Sequence, residues 1–263
     1  MLAHVHIMKT AGQTITQMFR DSFPGRHCEL LTRGTATAND LRWAMQIYPR
    51  LKCISGHGVR PHANLASVCP ELRYFTFLRD PLQRCVSHYQ FLVQRARLAV
   101  PFSQWVVRRP NYQVQMLSDS QNADSAIQML EHEIGFVGLL ERFDESLVLL
   151  RRWSREPDLK LTRRDRNIAS DNRIKDRILA DPELVAQIHE LHAEDYRLYR
   201  YVHDVVYRRQ IAAFGLGLQA DVDKVTSATA PSSVPALAQW LSRAKRGFIY
   251  KPFATPQQWS RAA

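Results

Sequence analysis

Only four cysteines occur in 263 residues, and none forms a C-x-x-C pair, which excludes the common zinc and dithiol redox motifs. Cys28, Cys53, Cys69 and Cys85 are too thinly spread to read as a disulfide framework. Cys53 and Cys85 fall in apolar patterns and are expected to be buried thiols. No apolar stretch reaches the ~18 residues of a membrane span. Lys9 and a loop interrupt the apolar N-terminal run, so it lacks the shape of a signal peptide. The expectation is a soluble, cytoplasmic chain with no integral membrane segment. No internal repeat and no cluster with metal-ligand spacing is visible. The G-x-x-x-x-G-K-[ST] pattern of triphosphate loops is missing as well.

The composition is that of a globular domain, with 45% hydrophobic and 23% charged residues. The formal net charge of +11 points to acidic partners: nucleotides, sulfated or phosphorylated glycans, nucleic acid or anionic lipid. Charge alone does not choose among them.

Four short apolar runs read as strands buried on both faces: Ala3–Met8, Leu51–Ser55, Leu72–Leu78 and Phe136–Leu140. Helical patterns lie between them over Gln13–Ser22, Ala38–Tyr48, Pro81–Arg97, Ala123–His132 and Asp144–Arg155. The Pro81 helix has a strong start, with Asp80 at the N-cap and Pro81 at the first position. This alternation predicts a three-layer α/β sandwich around a mainly parallel sheet. Ile174–Ala180 and Asp181–Ala213 predict a helical C-terminal part. Residues Asp221–Pro235 read as a Ser/Thr/Ala/Pro linker, and Pro235–Arg246 has the pattern of a short helix. The expected division is a domain over residues 1–218 and a linker with tail over 219–263.

Two segments carry chemistry. In the first, an apolar run ends at Lys9 and is followed by Thr10, Ala11, Gly12, Gln13 and Thr14 before a helix begins. A strand that breaks into a small-residue loop and then a helix directs backbone N–H groups at one spot, and Lys9 adds a positive charge there. Many α/β proteins have such a turn without a ligand, and the loop alone does not separate the two cases. In the second, YFTFLRDPLQRCVSHY at residues 74 to 89 is a strand that ends in Arg79. Open α/β sheets place ligands at that edge. Arg84 and Ser87 are three apart on the following helix and share a face. A guanidinium and a hydroxyl converging there suit a phosphate monoester. The plain alternative is a surface Arg79–Asp80 pair and an ordinary helix serine.

Taken together, MKTAGQT at Met8–Thr14 and RDPLQRCVSHY at Arg79–Tyr89 resemble the two signatures of sulfotransferases that use 3′-phosphoadenosine 5′-phosphosulfate (PAPS). Their K-T-A and R-D-P-x-x-R-x-x-S-x-Y forms are similar to the carbohydrate branch, as in heparan-sulfate 2-O-sulfotransferases and bacterial relatives. The family usually has proline before the lysine, where this chain has Met8. ISGHGVRPH at residues 54 to 62, NYQVQMLS at Asn111–Ser118 and GFVGLLERFDESLVLL at Gly135–Leu150 also resemble segments of that branch. The resemblance covers roughly residues 3 to 210.

The resemblance implies a P-loop-like sulfotransferase fold and PAPS as co-substrate, with no metal. Lys9 and the loop Thr10, Ala11, Gly12, Gln13 and Thr14 would hold the 5′-phosphosulfate, and Arg79 with Ser87 the 3′-phosphate. His57 would take the acceptor's proton, and a pKa of ~6.5 suits an imidazole to that task. His62 is the runner-up for that role, and His6 is expected to be a strand residue. The basic stretch Leu161–Ser170, with Arg163, Arg164 and Arg166, falls where the family closes a loop over the nucleotide; a solvated basic loop is the equal alternative. Asn111–Ser118 would border the cleft; the Gly135–Leu150 unit would be mainly structural, with a charge at a helix start as the plain reading of Glu141. The partner would be a glycan or other hydroxyl-bearing acceptor, in a monomer or a homo-oligomer.

Two rivals remain on the sequence. A small-molecule kinase of the P-loop type lacks its Walker glycines here. A non-catalytic nucleic-acid binder needs basic residues interleaved with exposed aromatics. Only Tyr196–Tyr207 offers that mixture, and its spacing is that of a packed helix.

Overall fold

A computed structural model describes residues 1–32, 34–161 and 171–227. Five strands form one sheet: β1 (Leu2–Val5), β2 (His27–Glu29), β3 (Cys53–Gly56), β4 (Arg73–Leu78) and β5 (Ile134–Leu139). Their order is β2-β3-β1-β4-β5, and every pairing is parallel. Helices α1 (Gly12–Ser22), α2 (Ala38–Ile47), α3 (Pro81–Ala96), α4 (Phe102–Val106), α5 (Tyr112–Ser118), α6 (Ala123–His132) and α7 (Phe143–Ser154) alternate with the strands and flank them. The α/β sandwich with a parallel sheet is therefore as expected.

Strands β1, β3 and β4 are buried at nearly every position, which explains why they read as unbroken apolar runs. Strand β2 escaped notice because its three residues, His-Cys-Glu, carry no apolar run. The first strand is also shorter than its pattern, ending at Val5 rather than Met8. His6 is therefore not a strand residue, contrary to expectation. The chain must leave the sheet there to build the loop that precedes α1.

Helix starts follow their caps. Thr37 and Asp40 form a reciprocal capping box on α2. The Asp80 carboxylate accepts the Gln83 N–H at the start of α3, with Pro81 next. On α1, Ile15, Met18 and Phe19 form the buried face.

The C-terminal part is helical: α8 (Arg173–Leu179), α9 (Pro182–Leu191), α10 (Ala193–Tyr201), a π turn at Val202–Val206, α11 (Tyr207–Phe214) and α12 (Leu218–Ser227). The stretch Asp181–Ala213 is helical as expected, divided among α9, α10, the π turn and α11. Residues Asp221–Ser227, expected as linker, belong to α12, which packs on α7. The rest of the tail, including Pro235–Arg246, lies outside the described residues. The main core surrounds the sheet. A second cluster of Cys85, Val86, Tyr89, Phe102, Val106, Ile178 and Ile188 joins α3 and α4 to α8 and α9. All four cysteines are buried thiols, none of them in a disulfide. Among the described residues, no helix is long and apolar enough to cross a membrane.

Strand order places β1 between β3 and β4. The chain leaves β1 toward β3 and β2, then returns to β4 and β5 on the other side. The C-terminal ends of β1, β3 and β4 meet at this reversal, where open α/β sheets form a crevice.

Candidate active site

Three residues named from the sequence sit at those three strand ends: Lys9 after β1, His57 after β3 and Arg79 after β4. The Lys9 loop has a strained backbone. Lys9 and Ala11 adopt φ of 70° and 64°, left-handed values that are uncommon outside glycine. Ala11 is the N-cap of α1, and no side chain caps this helix. The first intrahelical bond runs from Ile15 N–H to Ala11 O, so the N–H groups of Gly12, Gln13 and Thr14 have no partner among the described residues. Those donors and the helix dipole form an anion-binding concavity. The Thr10 hydroxyl is not part of it: it is buried and donates to Ile7 O at 3.0 Å, locking the turn.

Lys9 Nζ lies 4.6 Å from the Phe91 ring centroid. Burial pulls its pKa below the usual lysine value, and the nearby Arg79 guanidinium adds to the effect. Arg79 Nη1 donates to Lys9 O at 3.3 Å, so the two basic corners are in direct contact. Burial likewise lowers the Arg79 pKa, with Glu141 and Asp80 opposing it. Ser87 is half-buried on α3, and its hydroxyl makes no hydrogen bond among the described residues.

His57 follows Gly56, whose φ of 155° and close approach to Leu30 O admit no side chain: an added Cβ would lie 2.6 Å from that oxygen. His57 Nδ1 donates to His6 O at 2.8 Å, because a carbonyl can only accept. This fixes the tautomer and leaves Nε2 as the free basic nitrogen. The His57 ring stacks on His6 at 4.1 Å, and His6 in turn faces His4 at 5.5 Å. His57 is exposed at the cleft. Crowding by surrounding protein nevertheless lowers its pKa, the His6 carbonyl opposing the shift and Arg60 adding to it. His6 is buried, and burial with His57 beside it pushes its pKa down to about 3. His62 is exposed on a short turn at Pro61–Ala63 and has no hydrogen bond or ring contact to the loop among the described residues. The structure thus brings His57, not His62, to Lys9's strand. Arg163, Arg164 and Arg166 lie outside the described residues.

Residues that support the site were read only partly from the sequence. Gln113 clamps Arg79: its Oε1 accepts the Arg79 N–H at 3.0 Å and its Nε2 donates to Arg79 O at 2.9 Å. The buried Asp195 carboxylate accepts the N–H groups of Gln113 and Val114, capping α5 from α10. Asn111 Oδ1 returns the favour by accepting the N–H groups of Glu194 and Asp195. Glu141 is more than a charge at a helix start. It accepts the Asp80 N–H at 2.9 Å and the Tyr199 hydroxyl at 2.9 Å, which pins the turn after Arg79. The aromatic residues of α10 and its continuation turn inward as their spacing predicted. Tyr199 meets Glu141, Tyr201 meets Glu131 and buried Tyr207 meets Ser146.

The chain matches no protein-family model. No curated protein matches it either. Among solved structures, it is similar to a sulfotransferase from Alicyclobacillus acidocaldarius, with 13% identity and a TM-score of 0.39. The match covers 72% of this chain and 94% of that one. At that level of likeness, no activity carries across from one protein to the other.

A cavity of about 920 Å³ opens at the opposite end of the sheet, where β4 begins, lined by Arg73, Phe136, Arg151, Trp153, Gln210 and Phe214. It contains none of Lys9, His57 and Arg79, which stand at the C-terminal edge.

Proposed function

We propose that the protein is an O-sulfotransferase that moves the sulfuryl group of PAPS to a hydroxyl of an acceptor, and that the acceptor is a carbohydrate. One observation carries this reading. Two basic corners, the Lys9 loop and Arg79, touch at the ends of neighbouring strands, while His57 stands at the end of the strand on the far side of β1. A donor with a 5′-phosphosulfate and a separate 3′-phosphate needs two anion sites, and a base is needed on the acceptor side.

The residues fit such a donor. The uncapped α1 N-terminus offers three backbone donors, and Lys9 has no carboxylate partner among the described residues. Charge-assisted hydrogen bonds contribute about 1.5–3 kcal/mol each. Micromolar affinity requires about 8 kcal/mol, so four or five such contacts suffice after the ordering cost. PAPS supplies an activated sulfuryl group on a phosphate leaving group. Lys9 stabilises negative charge on that phosphate as the sulfur–oxygen bond breaks. His57 Nε2 accepts the proton of the acceptor hydroxyl as its oxygen bonds to sulfur. The products are a sulfate ester and adenosine 3′,5′-bisphosphate, and the proton on His57 passes to solvent.

A thermal-shift titration with adenosine 3′,5′-bisphosphate, and with ATP in parallel, tests the reading. The bisphosphate should stabilise the protein; stabilisation by ATP alone would refute a sulfotransferase. His57→Ala should abolish transfer from PAPS and leave bisphosphate affinity nearly unchanged. Surviving turnover would move the base elsewhere, first to His62.

A further inference from the structure

Arg84 is buried, with 1% of its surface exposed, and its side chain forms no ion pair or hydrogen bond among the described residues. Its Nε and Nη1 are orphaned donors. Its guanidinium carbon lies 4.9 Å from the Tyr112 ring centroid. Arg60 has a second orphaned donor, its buried Nε. Arg60 Nη1 donates to Met116 O at 3.0 Å, one helical turn along α5 from Tyr112. Arg109, exposed and three residues before Tyr112, has no acidic partner among the described residues. His88, one turn beyond Arg84, places its ring 6.1 Å from Tyr112. It is nearly buried and held neutral by burial and by the surrounding cations Arg84, Arg109 and Lys9.

A guanidinium charge inside a protein is strongly unfavourable unless an opposite charge or hydrogen-bond acceptors compensate it. Here Arg84 lies over the Tyr112 ring, and the charges of Arg60 and Arg109 also act on it. None of the three forms an ion pair among the described residues, the exposed Asp119 acting on Arg60 only from beyond ion-pair distance. Gln113, next to Tyr112, is the Arg79 clamp, so this cluster sits against the corner described above. Arg84, paired with Ser87 in the sequence reading, has its guanidinium over the Tyr112 ring and makes no contact with Ser87 among the described residues. Arg60 lies three residues beyond His57 on the acceptor side, and its charge lowers the His57 pKa.

We propose that Arg60, Arg84 and Arg109, gathered round Tyr112 beside His57, form a third anion site that binds a carboxylate or sulfate carried by the acceptor. The identity of this ligand as part of an acceptor rests on the sulfotransferase reading; the anion site itself does not.

The test titrates sodium sulfate and sodium glucuronate, with sodium chloride and glucose as controls, into protein saturated with adenosine 3′,5′-bisphosphate, and follows the melting temperature. Saturable stabilisation by sulfate and glucuronate is expected, but not by glucose. Arg84→Met and Arg60→Met should each weaken it at least tenfold while leaving bisphosphate affinity within about threefold. Without ligand, Arg84→Met should melt no lower than the wild type, since it removes an uncompensated buried charge; a clear drop would mean a structural role and overturn the proposal. Anion binding unchanged in both variants, or absent in the wild type, would also overturn it. So would loss of bisphosphate affinity in Arg84→Met, which would assign Arg84 to the nucleotide. Sulfate binding without glucuronate binding would overturn the acceptor assignment. Should Arg84→Met not fold, Arg60→Met and Arg109→Ala decide the matter. If the bisphosphate does not bind, the sulfotransferase reading fails. Sulfate titration of the free protein then still decides whether these arginines hold an anion.

Discussion

Gly12 offers a test in which two physical effects predict opposite signs. It is the first residue of α1, and its φ is not in the left-handed region. Alanine there should gain helix preference, worth up to ~1 kcal/mol. Against this, a Cβ on residue 12 would lie 1.8 Å from Nε2 and 1.9 Å from Cδ2 of His6. A flexible side chain would swing away at little cost. The His6 ring cannot: it is sandwiched between His57 at 4.1 Å and His4 at 5.5 Å, and His4 is stacked on Phe75 at 4.9 Å. Overpacking of a fixed core costs about 1–3 kcal/mol. The clash should therefore win, leaving Gly12→Ala about 1–2 kcal/mol less stable, or about 2–8 °C lower in melting temperature.

The His6 variant isolates the cause. His6→Ala removes the ring that the new methyl would strike. Gly12→Ala should then be neutral or stabilising in that background, with a coupling of about 1–3 kcal/mol between the two sites. Thermal denaturation of the four proteins completes the cycle. A melting temperature that rises in Gly12→Ala alone, or falls equally in both backgrounds, would refute the claim that glycine is required here to seat His6 under His57.

Stability should fall in acid because of His6 and His88. Burial holds both pKa values at about 3 when folded, against the ordinary 6.5. Between those values the unfolded chain binds more protons. The contribution is therefore complete above pH 6.5 and is lost as pH falls toward 3, by up to ~1.4 kcal/mol per pH unit for each histidine. Urea denaturation at pH 7, 6 and 5 measures the slope, and a flat profile would contradict it. Since crowding by surrounding protein lowers the His57 pKa, kcat/KM for transfer should rise with pH below 6.5 and be level at pH 7; a midpoint above 7 would point to a different base. Gln113→Leu leaves the Arg79 N–H and C=O unpaired, costing about 1–3 kcal/mol, and should weaken adenosine 3′,5′-bisphosphate binding about tenfold, read by calorimetry. Unchanged affinity would show that Arg79 needs no clamp.

Much of this molecule was legible because β1, β3 and β4 are buried on both faces and helices α2, α3, α6 and α9 start with side-chain caps. Lys9, His57 and Arg79 stand at strand ends, where short apolar runs give way to turn residues, so their placement followed from the pattern. The errors share a physical origin. Strand β2 draws its stability from pairing with β3 rather than from its own His-Cys-Glu composition. His6 continued an apolar-looking run, but a strand cannot continue where the backbone must turn into the left-handed residues Lys9 and Ala11. Helix α12 runs into the Ser/Thr/Ala/Pro stretch that reads as linker from Asp221 onward, and packing on α7 overrides that composition over Asp221–Ser227.

The support behind Arg79 was less legible because it is long-range. Gln113 lies 34 positions from Arg79, Glu141 lies 61 from Asp80, and Asp195 lies 81 from Val114. No local pattern reports such pairings, since each depends on where the fold sets down α5 and α10. They give the helical C-terminal part a defined role. One route runs from Asp195 through the start of α5 to Gln113 and the Arg79 backbone. The other runs from Tyr199 through Glu141 to the Asp80 N–H. Both begin on α10 and end on adjacent residues of the turn after β4. Helix α10 therefore holds that turn from two sides, and a change at Asp195 or Tyr199 reaches the Arg79 corner without touching any ligand.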